Sequence, residues 1–106
     1  MSLATLKPLL EEFKHELRRL YGANFRRLIL YGSYARRDAR EGSDVDLLLV
    51  LREVEDPLRE RERLSEFISR LSLRYNVVLS VLPVAEEDLA RPKPLFLNVR
   101  KEGISL

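Results

Sequence analysis

Five consecutive apolar residues, Leu47-Leu48-Leu49-Val50-Leu51, follow Asp46 without a polar interruption. A run this short, apolar on every side, fits a β-strand covered on both faces, as when helices pack on a sheet. Leu28-Ile29-Leu30-Tyr31, which ends at Gly32, asks for the same surroundings. Strands of this kind need amphipathic helices to cover them, and the chain supplies two long candidates.

The first opens near Thr5. Leu6, Leu9, Leu10, Phe13, Leu17 and Leu20 recur at helical spacing, and Gly22 stands just past the end as a C-terminal cap. His15, the only histidine, falls off that stripe and reads as a solvated surface residue. The second begins at Asp56-Pro57, an N-cap followed by a proline at the first helical position, and carries the stripe Leu64, Phe67, Ile68, Leu71 and Tyr75. Its outer run Arg59 to Arg63 alternates in sign and reads as a solvated, ion-paired face. Val77 to Leu82 is a third strand, expected to stop at Pro83. Glu86-Glu87-Asp88 opens a helical turn or two, Pro94 starts a short helix that Gly103 ends, and Ile104-Ser105-Leu106 is a candidate edge strand. The expected fold is therefore α/β (α+β), a small mixed sheet with helices packed against it, with residues 1–106 forming one domain.

Composition removes several function classes. The 19 basic and 17 acidic residues leave a net charge of +2, too even a balance to argue for nucleic-acid binding. No apolar run approaches a membrane span and no signal peptide is evident, so the expectation is a cytoplasmic chain with no membrane role. With no cysteine, thiolate chemistry and cysteine zinc sites are excluded, the one histidine cannot build a metal site by itself, and carboxylates are the only plausible metal ligands.

The informative stretch is Leu30 to Val50. Asp44 and Asp46 are two residues apart at the start of a strand, so the pleat points both carboxylates to one face. Like charges held together repel, and a hard divalent cation such as Mg²⁺ relieves them. Gly32-Ser33 follows the first strand and precedes a helix start at Tyr34-Ala35. Glycine permits close approach of the backbone to a ligand, and free amides at a helix start hold phosphate oxygens. One half of such a site would grip a triphosphate; the other would hold the metal.

Gly32-Ser33, ten intervening residues, then Asp44-Val45-Asp46 resembles the signature of the polymerase-β-like nucleotidyltransferases. The chain as a whole is similar to their minimal, antitoxin-type members, supported by Tyr31, Ala35, Ser43 and the aliphatic strand after Asp46. The resemblance implies attack of an acceptor hydroxyl on the α-phosphorus of a nucleoside triphosphate, ATP being expected, with pyrophosphate leaving. Two metal ions about 4 Å apart would assist such a displacement. In that picture Asp44 and Asp46 are catalytic metal ligands and Gly32 and Ser33 bind the β and γ phosphates. Arg36 and Arg37 are candidates for further phosphate contacts. Minimal members of the antitoxin type act with a helical HEPN-type protein, so such a partner is expected, with a homodimer as the lesser alternative.

The pattern departs from the family at one place. Catalytic members carry a third carboxylate on the strand after the second long helix, where this chain reads Asn76-Val77-Val78-Leu79-Ser80. The alignment puts Val78 at the position of the acid, with Ser80 two residues on. Two functions therefore stay open: transfer of a nucleotidyl group, AMP being expected, to a protein or other acceptor, or a nucleotide-binding partner module without turnover.

Overall fold

The apolar stripe from Leu6 to Leu17 forms one side of α1 (Leu3–Tyr21) in the computed structural model, which describes residues 3–106. Gly22 at its end has φ +52°, a left-handed turn residue, and leads through a short 3₁₀ turn into β1 (Phe25–Tyr31). A short helix α2 (Ser33–Arg36) and a loop connect β1 to β2 (Val45–Leu51). Asp56 caps α3 (Pro57–Tyr75): its carboxylate accepts from the Leu58 amide at 3.1 Å. Then follow β3 (Leu79–Ala85), a 3₁₀ turn at Glu86–Ala90, α4 (Pro94–Glu102) and the two-residue β4 (Ile104–Ser105).

The sheet order is β3-β2-β1-β4, with β2 and β3 parallel and the other two pairs antiparallel. It is a mixed sheet with helices on both faces. Leu47, Leu49 and Leu51 join Leu28 and Leu30 under α1 and α3, while Leu48 and Val50 join Ile29 and Val84 under Phe96 and Val99 of α4. The unbroken run in β2 thus divides its side chains between two apolar layers. Phe13 of α1 stacks on Phe67 of α3 with centroids 5.9 Å apart, and Glu12 clamps the same helices by accepting from Arg74 and, at 3.1 Å, from the Tyr75 hydroxyl.

Two boundaries differ from the sequence expectation. The third strand starts at Leu79 rather than Val77 and continues through Pro83 to Ala85. It lies at the sheet edge and is bonded only to β2, so a proline whose nitrogen faces away from the ladder is tolerated. β1 begins at Phe25, three residues before its apolar run, because Arg26 and Arg27 are exposed strand residues beside an irregularity in the β1–β2 register.

Candidate active site

The site is built where the second face of the sheet is left uncovered. Leu48 and Val50 are sealed by α4, but Asp46, on the same face and nearer the start of β2, is only half-buried and Asp44 is exposed. Both therefore sit at the N-terminal end of an inner strand, not at the lateral sheet edge. The preceding turn sets their position: Arg40 donates its amide to the Ser43 hydroxyl at 2.8 Å, Ser43 returns its own amide to the Arg40 carbonyl at 2.9 Å, and Gly42 takes φ +86°. From there the Val45 amide bonds the Val78 carbonyl at 2.8 Å and the strand begins.

Gly32 lies against Asp46. Its φ of +75° with ψ −154° is open to glycine alone, and a Cβ there would overlap Oδ2 of Asp46 and stand 3.2 Å from its Cγ. The strand register agrees, since Tyr31 pairs with Asp46. Gly32 and the Asp46 carboxylate, fourteen positions apart in the chain, are therefore in direct contact. Beyond Gly32, α2 is closed by bonds from the Arg36 amide to the Gly32 carbonyl and from the Asp38 amide to the Ser33 carbonyl. Its first amides have no acceptor inside the helix.

The electrostatics follow from this crowding. Burial, then the neighbouring charge of Asp44, pushes the Asp46 carboxyl above the usual range, and Arg36 partly offsets both. Tyr31 is likewise raised, by burial first and by Asp46 second. Arg36 donates to Asp38 at 3.2 Å and to Glu102 of α4 at 3.4 Å, so its guanidinium is held over the same region. Arg37 occupies the left-handed capping position at φ 64° and is exposed.

Val78, which the sequence reading sets against the family's third carboxylate, accepts from the Val45 amide at the start of β2. Asp46 pairs with Ser80 across β2 and β3, so one step of two residues back sets Val78 next to Asp44. Val78 is 58% exposed and Ser80 is exposed. Among the described residues no group of three or more His, Cys, Asp or Glu side chains is placed to hold a metal. The two carboxylates fit one hard divalent cation whose remaining ligands come from elsewhere, and they do not suffice for a second.

Residues 10–101 match the family model described as nucleotidyltransferase domain. The chain belongs to that family. The nucleotidyltransferase domain is 35% identical over 80 residues to protein adenylyltransferase MntA of Thermococcus cleftensis, covering 74% of this chain and 78% of the relative. A solved structure provisionally assigned as a minimal nucleotidyltransferase superposes with a TM-score of 0.64 at 31% identity, over 100% of this chain and 97% of that one. A chain from the Shewanella oneidensis complex of a tri-AMPylated HEPN toxin with an MNT antitoxin shares the fold, with a TM-score of 0.52 at 17% identity over 92% and 69% of the two chains.

Of the residues singled out from sequence, Gly32 lies against Asp46, Asp44 and Arg36 both act on that carboxylate, Ser33 follows Gly32 as the first residue of α2, and Arg37 is exposed at the end of α2. Sequence reasoning missed Glu102, which holds Arg36 across 66 positions. No local pattern marks such a contact. It missed Tyr31 as more than a motif detail, although the register that pairs it with Asp46 could have been drawn from the two apolar runs.

Proposed function

We propose that this domain binds Mg²⁺-ATP and transfers AMP to a hydroxyl on a partner protein of the helical HEPN kind, in a cytoplasmic toxin–antitoxin pair. The observation that carries the reading is the contact of Gly32 with Asp46, which makes the phosphate-binding loop and the metal-binding carboxylates one surface. Asp44 and Asp46 would hold the cation, which when bound neutralises the triphosphate and draws electron density from the α-phosphorus. The Gly32-Ser33 loop meets the β and γ phosphates, and Arg36, released in part from Asp38 and Glu102, adds charge-assisted bonds to them. The acceptor oxygen bonds to the α-phosphorus as the bond to the pyrophosphate oxygen breaks. With no acid at position 78, the acceptor proton passes to solvent. The name of the Thermococcus relative and the AMPylated toxin of the Shewanella complex support protein as the acceptor class.

Calorimetry on the wild type and Asp46→Asn tests the first step. The wild type should bind Mg²⁺-ATP and, at a hundredfold excess over Kd, gain about 2.7 kcal/mol of stability. The variant should lose that gain while melting no lower than wild type without ligand, because burial and the charge of Asp44 both disfavour the ionised Asp46 that the amide replaces. Equal affinity in both proteins would reject the assignment.

The exposed Val78 beside Asp44 favours a second reading, a nucleotide-binding partner module with little turnover. Val78→Asp separates the two. Pyrophosphate release from Mg²⁺-ATP and a co-purified partner should rise in the variant if the missing carboxylate limits the rate, and stay at the wild-type level if the domain only binds.

A further inference from the structure

Ser80 stands on the strand beside Asp46. The two are register partners across the parallel β2–β3 pair, and the next partners on that face, Leu48 and Leu82, pack in the layer under α4. Leu79 and Val81 turn to the opposite layer, under α1 and α3. Alternation therefore sets Ser80 on the same face as Asp46, at the uncovered end of that face, where it is exposed. The hydroxyls of Ser43, Ser65 and Ser72 take part in hydrogen bonds; that of Ser80 has no such partner among the described residues.

The spacing suits a shared cation. Neighbouring strands lie about 4.8 Å apart, and two oxygens held at about 2.1 Å by one Mg²⁺ are about 3 to 4 Å from each other. An ion between the side chains of Asp46 and Ser80 is thus within reach of both without movement of the backbone. Other oxygen-bearing side chains near the pair are engaged: Asp38 and Glu102 hold Arg36, and Tyr31 is packed half-buried against the layer of Leu48. Val78, next to Asp44, carries no ligand atom on its side chain. A serine or threonine hydroxyl paired with an aspartate holds Mg²⁺ in other nucleotide-binding sites, so the donor type suits the ion.

We propose that the Ser80 hydroxyl is a direct ligand of the cation held by Asp44 and Asp46, completing a site for one ion from two adjacent strands. The inference deepens the Mg²⁺-binding half of the function proposed above and rests on it. Two carboxylates and a neutral hydroxyl balance one divalent charge and leave a second ion uncompensated. Ser80 ties β3 to the ion without the charge that a third carboxylate would bring.

The test uses Mn²⁺, whose free form is counted by electron paramagnetic resonance, and exploits the absence of cysteine from the chain. Wild type should bind one Mn²⁺, and Ser80→Ala should bind it about tenfold more weakly, the lower end of what a lost supporting group costs a metal site. Ser80→Cys should shift the preference from Mn²⁺ towards Cd²⁺, since a thiolate favours softer ions, and show the ultraviolet charge-transfer band of thiolate-bound Cd²⁺. Adding Asp46→Asn to Ser80→Cys should abolish the band. Ser105→Cys, at an exposed position on β4, should show none at the same Cd²⁺ concentration. The proposal is overturned if Ser80→Ala binds Mn²⁺ as tightly as wild type, if the band survives the loss of Asp46 or appears equally in Ser105→Cys, or if Ser80→Cys gives no band, as when the hydroxyl acts through a water. Any of these in a protein whose wild type binds Mn²⁺ and loses it in Asp46→Asn would sink the Ser80 ligand and leave the Mg²⁺-ATP reading intact. A wild type that binds no divalent cation, alone or with ATP, would sink both.

Discussion

Gly32 meets two demands at once, a backbone conformation closed to other residues and a surface close enough to touch the Asp46 carboxylate. Gly32→Ala should therefore do more harm than a change of one methyl group elsewhere. Relief of the φ +75° strain and of the overlap with Oδ2 both require the loop to move, and the variant should lose about 1–3 kcal/mol of stability in a urea titration. It should also lose most of its Mg²⁺-ATP binding by calorimetry. Tyr21 offers a contrast remote from the site. Its hydroxyl is enclosed without a hydrogen bond of good geometry, Glu60 lies next to it, and Arg63 stacks over the ring at 5.1 Å. Burial first, and the Glu60 charge second, push the phenol up to about 12 from 10.0. Below pH 10 both folded and unfolded chains keep the proton. As pH rises towards 12 the unfolded chain ionises first, so stability is lost across that window. Tyr21→Phe should show a shallower alkaline loss in melting temperature and little cost at neutral pH, since the lost hydroxyl makes no hydrogen bond of good geometry.

The long helices were legible because their signals are local. Asp56-Pro57 reads as a helix start from two letters, and the structure gives both residues those roles. Asp56→Ala should cost about 1 kcal/mol in denaturant unfolding, with the slope unchanged. The strands were legible only where both faces are buried: Leu47 to Leu51 announced itself, while Arg26 and Arg27 concealed the start of β1 because exposed charges look like a loop. Pro83 misled for a related reason. Whether a proline ends a strand depends on whether that strand has a neighbour on its nitrogen side, and edge position is a property of the sheet order. The Asp pair and the glycine loop were readable from spacing, but their contact was not, since it depends on the β1–β2 register.

At the scale of the molecule, the sheet is closed on one face by α1 and α3 and only partly closed on the other by α4 and the turn before it. That unequal cover makes the site. The helix that seals Leu48 and Val50 also reaches Arg36 through Glu102, a solvent-screened pair that adds little to stability. On the proposed function, a triphosphate and Glu102 would draw on the same guanidinium, and by reciprocity whatever Arg36 gave to the phosphates would be withdrawn from the last turn of α4. Amide hydrogens of Arg100, Lys101 and Glu102 should then exchange faster with Mg²⁺-ATP bound, while those of β2 slow down. The outer surface near β4 would carry a record of whether the nucleotide is present, legible to any protein that rests there.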